Sequence, residues 1–319
     1  MRLIFKRYGV VFLMMPFLFA FNIVNAQVED SVNNERLAKM VTMTEVVLRS
    51  NLDISRFIEQ VKNDTSFYKA FRNLHLLEFT SSNDIRIRDK EGVVKASLLS
   101  KTKQRREKDC RSMQVLEERT TGDFYTVTRG YNYYTAQLYA GLFFTNGTIC
   151  GENNIVKGRN FVPRSESGID KHKEQLKMLF FNPGKKIPGI PFIGDKIDIF
   201  DPTHASLYDF SLDYADYENQ PCYVFSIKAK KDLGWFDSNK IVIDSMITWF
   251  NCKTMEVVAR NYAMSYDAGV YDFDVKMEVE MTHVRELLVP KTLRYIGNWD
   301  VALKKRERGV FTATLYDFN

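Results

Sequence analysis

The chain has little of what the sequence of an enzyme carries. Its four histidines, His75, His172, His204 and His283, are scattered, and none stands in HExxH or a similar grouping. There is no GxSxG and no GxxxxGK[ST] phosphate loop. CxxC spacing is absent, which argues against a zinc site. Strong charge of one sign is missing too. The formal charge is +5, and Arg2, Lys6 and Arg7 near the start account for +3 of it. The remaining +2 gives no reason to expect nucleic acid or a strongly anionic membrane surface as partner. Carboxylates are plentiful, and Asp213, Asp216 and Glu218 lie close in sequence, but a glycosidase pair is defined only by separation in space. A hydrated turn is the simpler account of those three. The expectation is therefore a protein with no catalytic residue, no metal and no cofactor.

What is present begins with a leader. Arg2, Lys6 and Arg7 form a positive start, Tyr8 to Ile23 is uncharged and mostly apolar, and Val24-Asn25-Ala26 is a small-residue cleavage site. The apolar run is interrupted by Pro16 and is short against the span of about 20 residues that a bilayer requires. Position 27 is Gln, so no thiol follows the cut for a lipid anchor. The expectation is cleavage after Ala26 and a periplasmic or secreted product with no membrane span. The sequons Asn63-Asp64-Thr65 and Asn146-Gly147-Thr148 would accept glycans in a eukaryotic secretory route.

Cysteine usage agrees with export. Cys110, Cys150, Cys222 and Cys252 are an even number in an oxidising compartment, with three connectivities open. Cys222 opens one expected strand and Cys252 closes the next, which makes a Cys222–Cys252 bridge the favoured pairing, with Cys110 and Cys150 as the remainder. Four buried free thiols are the alternative.

Along the chain, 27–34 reads as a frayed start. Leu37, Met40, Val41, Val47 and Leu48 recur at helical spacing and predict a helix from Glu35 to about Ser50. A second helix is expected near Asp53, with Ile54, Phe57, Ile58 and Val61 on one face. Asn63-Asp64-Thr65-Ser66 breaks it and starts a third, carrying Phe67, Phe71 and Leu74. Strands are expected at Leu76–Thr80, Val93–Leu99, Met113–Glu117, Phe124–Thr128 and Tyr134–Thr145. The basic run Lys101–Arg111 reads as a solvated turn or strand face, since Glu107, Asp109, Glu117 and Glu118 offset it. Between 151 and 203 a short helix is expected at Ile169–Phe181, stopped by Asn182-Pro183-Gly184. The apolar, Pro/Gly-punctuated Gly184–Asp195 looks like a loop pinned against the fold.

The last hundred residues form a β-meander. Phe273, Val275, Met277, Val279 and Met281 alternate with Asp274, Lys276, Glu278 and Glu280, which makes a strand with one apolar and one charged face. Strands are expected at Leu207–Tyr214, Tyr223–Lys230, Lys240–Phe250, Met255–Tyr266, Tyr271–Met281, Thr292–Asp300 and Val310–Tyr316. Short turn-rich connections make neighbours pair in order. Tyr295 and Trp299 should sit beside the Phe273–Met281 stripe. These seven residues are the candidate ligand-binding face, although such a stripe also serves as ordinary core.

The stretches Glu218–Lys231 (ENQPCYVFSIKAKK), Ile241-Val242-Ile243-Asp244 and Asn251–Val258 (NCKTMEVV) resemble the exported lipoprotein-carrier-like superfamily, over about a third of the chain. Gln220-Pro221 departs from that pattern where a Gly turn is usual, and Asn251-Cys252 replaces a charged turn. The resemblance implies a strongly curved antiparallel sheet, with helices in its concave face and an apolar cavity between. It carries over no individual functional residue.

The fold expected is α+β: an incomplete barrel over 76–319, interrupted near 151–203, with a helical segment 27–75 on its concave face. The function expected is binding or carrying an acyl chain or lipoprotein in a bacterial envelope, with lipid or lipoprotein as partner and peripheral contact with the envelope. The alternative is a structural or assembly component whose cavity is filled by its own helices.

Overall fold

The computed structural model describes residues 31–50, 52–156, 181, 183–185, 193–267, 271–301 and 306–319. The expected leader, nearly all of the helix expected over Ile169–Phe181, the middle of Gly184–Asp195 and part of the turn expected at Asp267-Ala268-Gly269 lie outside the described residues. Among those described, no helix is long and apolar enough to cross a membrane.

Twelve strands form one open, curved, α+β sheet: β1 (Val41–Met43), β2 (Phe79–Arg88), β3 (Val94–Glu107), β4 (Cys110–Thr121), β5 (Thr148–Cys150), β6 (Tyr208–Tyr217), β7 (Gln220–Ala229), β8 (Ile243–Asn251), β9 (Val257–Asp267), β10 (Tyr271–Val284), β11 (Leu287–Val301) and β12 (Glu307–Tyr316). Their order is β1-β6-β7-β8-β9-β10-β11-β12-β2-β3-β4-β5. The meander pairs in sequence order as expected, and its last strand closes on the first long one, Phe311 opposite Ile85. All pairings are antiparallel except β1 with β6.

Among the described residues, the named helices are α1 (31–40), α2 (Glu45–Arg49), α3 (Ile54–Asn63), α4 (Ser66–Asn73), α5 (Tyr134–Phe143), α6 (Pro202–Ala205) and α7 (Trp235–Ser238). Asp53 caps α3 by accepting from the Arg56 amide, and Phe57, Ile58 and Val61 then face inward. Phe57 sits edge-on among Tyr223, Phe225 and Phe250, with ring centroids 5.5–6.0 Å apart. Burial of such rings is the main term holding α3 to the sheet.

Three local expectations are corrected. The helix over Glu35–Ser50 is interrupted at Val41-Thr42-Met43, which pairs in parallel with Phe210-Ser211-Leu212; residues 31–34, expected to fray, are helical. β-Branched Val41 and Thr42 suit a strand, and an open sheet edge was there to receive them. Tyr134–Thr145 is largely helix rather than strand. Thr135, Ala136, Tyr139 and Phe143 are buried at helical spacing, and the buried Tyr139 hydroxyl donates to Asn83 on β2. Phe124–Thr128 is a loop with a lone bridge between Tyr125 and Tyr131.

The expected Cys222–Cys252 bridge is also corrected, while Cys110 with Cys150, expected as the remainder, is bridged. The bridge is Cys110–Cys150, while Cys222 and Cys252 are free. Cys110 and Cys150 are direct partners across β4 and β5. Cys222 instead opposes Asn251, so Cys252 falls one residue past the facing position. Cys252 stands past the end of β8, in the turn that follows, where its amide donates to the Pro221 carbonyl.

The two ends of the sheet differ. At one end β3–β4, β6–β7 and β10–β11 join through two-residue turns, Lys108-Asp109, Glu218-Asn219 and Arg285-Glu286. Lys108, Glu218, Asn219 and Arg285 there take positive φ of 46–62°, as tight hairpins demand. The β8–β9 connection 252–256 lies at that end too, and the other end carries 89–93, 122–133 and 230–242.

Candidate ligand cleft

At the long-loop end lies a cleft of about 770 Å³. Its inner wall is Trp299 near the end of β11, Ile87 of β2 and Tyr134 at the start of α5, with Tyr133 and Gln137 beside them. Its rim is charged, with Arg88, Asp89, Lys90, Glu91 and Lys95 from the β2–β3 hairpin, Arg306 just before β12 and Glu307 at its start.

Each wall residue is held by a physical device. Tyr133, the N-cap residue of α5, offers no side-chain acceptor to the helix. Glu307 takes that place from another strand, accepting from the amides of Tyr134 at 2.7 Å and Thr135 at 2.6 Å. A carboxylate on the free amides of a first turn also opposes the helix dipole favourably. Gly309 lets α5 approach β12, for a Cβ there would lie 2.4 Å from the Thr135 side chain. Trp299 lies at 5.0 Å from Phe273 in a stacked arrangement, and its indole N–H donates to the Tyr295 hydroxyl. That hydroxyl occupies the space over Gly297, where a Cβ would come within 1.9 Å of it.

Most rim carboxylates are committed to structure. Asp89 accepts from the amides of Glu91 and Val93, and Asp123 accepts from the Tyr133 hydroxyl. Burial, with Asp123 alongside, pushes the Tyr133 phenol well above its usual range, so it remains a donor at every physiological pH. Arg306 pairs with Asp272 at 2.6 Å and bonds Asn298. The cleft thus combines a fixed aromatic floor with a polar, charged rim. Among its described lining residues there is no Ser, Cys or His.

A second, smaller pocket of about 480 Å³ lies at the same end, lined by Leu233, Ile241, Tyr266 and Phe273 with Asp244, Asp272 and Asp274. Phe273 and Trp299, stacked on each other, therefore contribute one to each pocket.

The structure brings the seven sequence candidates together on one face. Phe273 opposes Trp299 and Met277 opposes Tyr295, with Val275, Val279 and Met281 along the same row. All seven are buried in the core. The Tyr262 hydroxyl donates to Met277 Sδ at 2.9 Å, and Tyr295 stacks on Phe311 at 4.5 Å. Of the seven, Trp299 borders the larger pocket and Phe273 the smaller.

Sequence reasoning missed Glu307, Tyr134 and the β2–β3 hairpin. The cap joins residues more than 170 positions apart, so no local pattern announces it. It also missed an ionic cluster near the tight-turn end. Arg111 donates to Gln104, Thr145 and Glu152, and His75 Nδ1 lies 3.0 Å from Glu152. Burial, and then the Arg111 charge, lower the His75 pKa to about 4. Although burial alone would raise it, Arg111 and His75 hold the Glu152 carboxyl below its ordinary range. Four bonds engage the guanidinium, and the cluster braces 145–154 against α4, where Asn154 bonds Asn73. Asp109 stands near Cys110 and Cys150, but both sulfurs belong to the disulfide, so this group offers no thiolate to a metal.

No protein-family model matches the chain, and no curated protein matches its sequence. Among solved structures it is similar to a DUF1329 family protein from Desulfovibrio piger, at 11% identity over 80% of this chain and 93% of that one, with a TM-score of 0.23. It is also similar to an outer membrane lipoprotein-sorting protein domain from Vibrio parahaemolyticus, at 7% identity over 78% and 88% of the two chains, with a TM-score of 0.26. Likenesses this distant carry no argument about chemistry.

Proposed function

We propose that this is an exported, non-enzymatic binding protein of a bacterial envelope that holds an amphipathic ligand, an acyl chain or the lipid of a lipoprotein, in the cleft beside Trp299. The observation that carries the reading is the cleft itself. About 770 Å³ falls within the range of small-molecule sites, and an aromatic floor under a polar rim suits a ligand with one apolar and one polar end. An acyl segment would lie against Ile87, Tyr134 and Trp299, with its polar end toward Lys90 and Lys95. The leader supplies the compartment.

A second reading, a structural or assembly component, draws on a different observation. The Phe273–Met281 stripe is packed in the core, and α3 fills the concave face with Phe57 and Ile58. Native mass spectrometry of protein from its own host separates the two. A bound lipid, lost on Trp299→Ala with the fold retained, supports the first. Wild-type protein free of lipid and indifferent to acyl probes leaves the second.

A further inference from the structure

Among the described residues, large apolar side chains are left bare in several places, among them Val46 and Leu48 of α2 and Ile155, but one exposed aromatic pair stands apart. The two-residue turns at one end carry Lys108-Asp109, Glu218-Asn219 and Arg285-Glu286, all polar. The connections at the other end carry Val93, Val127, Trp235 and Phe236, and all four are exposed. Trp235 is 73% exposed and Phe236 79%, in contact with each other at 5.0 Å on α7, the short helix between β7 and β8. Large aromatic rings are costly to leave in water.

We propose that this end docks on the surface of a lipid bilayer, with Trp235 and Phe236 as the inserted pair. An indole with its N–H toward the headgroups and a phenyl ring beneath them is the arrangement that aromatic residues favour at membrane interfaces. Two rings and scattered valines cover far less than the roughly 1,000 Å² that a stable protein interface buries, so a second copy is a poor fit. A fluid surface needs no shape complementarity and can accept several separate tips.

Charge does not drive the contact. Lys230, Lys231 and Lys240 flank the tip, but Lys240 is paired with Asp237 at 2.7 Å, and Asp232, Asp244, Asp272 and Asp274 lie nearby. These named groups are three cations against five carboxylates, so the tip offers no basic patch to anionic lipid, and zwitterionic lipid is the surface it suits. Docking this way would turn the end that carries both pockets toward the membrane. Neither ring of the tip lines the Trp299 cleft, so this proposal fails or stands separately from the ligand reading.

The test is co-sedimentation of the full chain, as purified from its host, with phosphatidylcholine vesicles, compared with Trp235→Ser/Phe236→Ser. Wild-type protein should bind, with little change in high salt. The double variant should lose partitioning by about tenfold or more, as loss of two aromatic transfers implies. Its circular dichroism and Tm should match wild type, because both positions are exposed. Failure of wild type to bind, or equal binding by the variant, overturns the proposal. Binding confined to anionic vesicles and abolished by salt overturns it as well. So does concentration-dependent self-association, removed by the variant, in the absence of vesicle binding.

Discussion

Met277→Glu distinguishes a packed core from a cavity wall. Met277 is 1% exposed, opposes Tyr295 across β10 and β11, and accepts the Tyr262 hydroxyl on its sulfur. A glutamate there would exchange favourable apolar burial for a carboxylate, and the buried cation on the same face, Arg260 opposite Val279, is already held by Thr248 and Asp64. Losing a buried Met side chain costs about 2–5 kcal/mol by itself. Keeping a carboxyl in the core adds a further penalty, part of it relieved by protonation. A total of about 4 kcal/mol or more would lower Tm by on the order of 10 °C in a chain of this size. The pH dependence has a definite sign. Burial raises the folded-state pKa of the new carboxyl, so the deficit is fully expressed above that value and shrinks as pH falls toward the unfolded value of about 4.3. Urea denaturation of wild type, Met277→Leu and Met277→Glu at pH 8 and pH 5 measures both effects. The leucine variant should lose only about 1 kcal/mol, being close in volume. A glutamate variant with wild-type stability at pH 8 would refute the packing argument and place Met277 in a wet cavity.

Three other perturbations have expected outcomes. Replacing Cys110 and Cys150 by Ser frees a loop with a sequence separation of 40, which the chain-entropy argument values at about 4 kcal/mol, while Cys222→Ala and Cys252→Ala leave non-reducing peptide maps with the Cys110–Cys150 crosslink intact. Glu307→Ala should cost about 1–2 kcal/mol in chemical denaturation, by stripping the acceptor from two amides of α5, and Glu307→Gln should recover part of it. His75 is held neutral to about pH 4 in the folded state, so the unfolded chain takes up its proton first and stability falls as pH drops from the model-peptide value of about 6.5. His75→Gln should flatten that part of the stability–pH curve; an unchanged slope would show that the imidazole is not buried as described.

The meander was legible because each of its strands repeats with a period of two and its turns carry turn residues. The two positive-φ residues Glu218 and Asn219 sit inside the turn expected from Asp216 to Pro221. Phe57 and Ile58 were legible as the inner face of α3 for the corresponding reason at helical period. Tyr134–Phe143 was not, because its aromatic richness mimics a strand, while the carboxylate that fixes its helical start comes from Glu307 on β12. The cysteine pairing turned on a one-residue register at Cys222 and Asn251, which no composition reveals. Of the site, Trp299 could be placed beside Phe273 from the hairpin register. The rest of the cleft could not, since it depends on β12 pairing with β2 across more than 200 residues of chain.

The most direct measurement uses Trp299 as its own reporter. With Trp235 and Trp249 replaced by Phe, the remaining indole lies at the wall of the cleft. Titration with an acyl amphiphile brominated along its chain should quench that fluorescence saturably, at one ligand per protein, and an unbrominated competitor should restore it. Absence of quenching, with the same amphiphile failing to alter Tm, would contradict the claim that this cleft binds an acyl ligand.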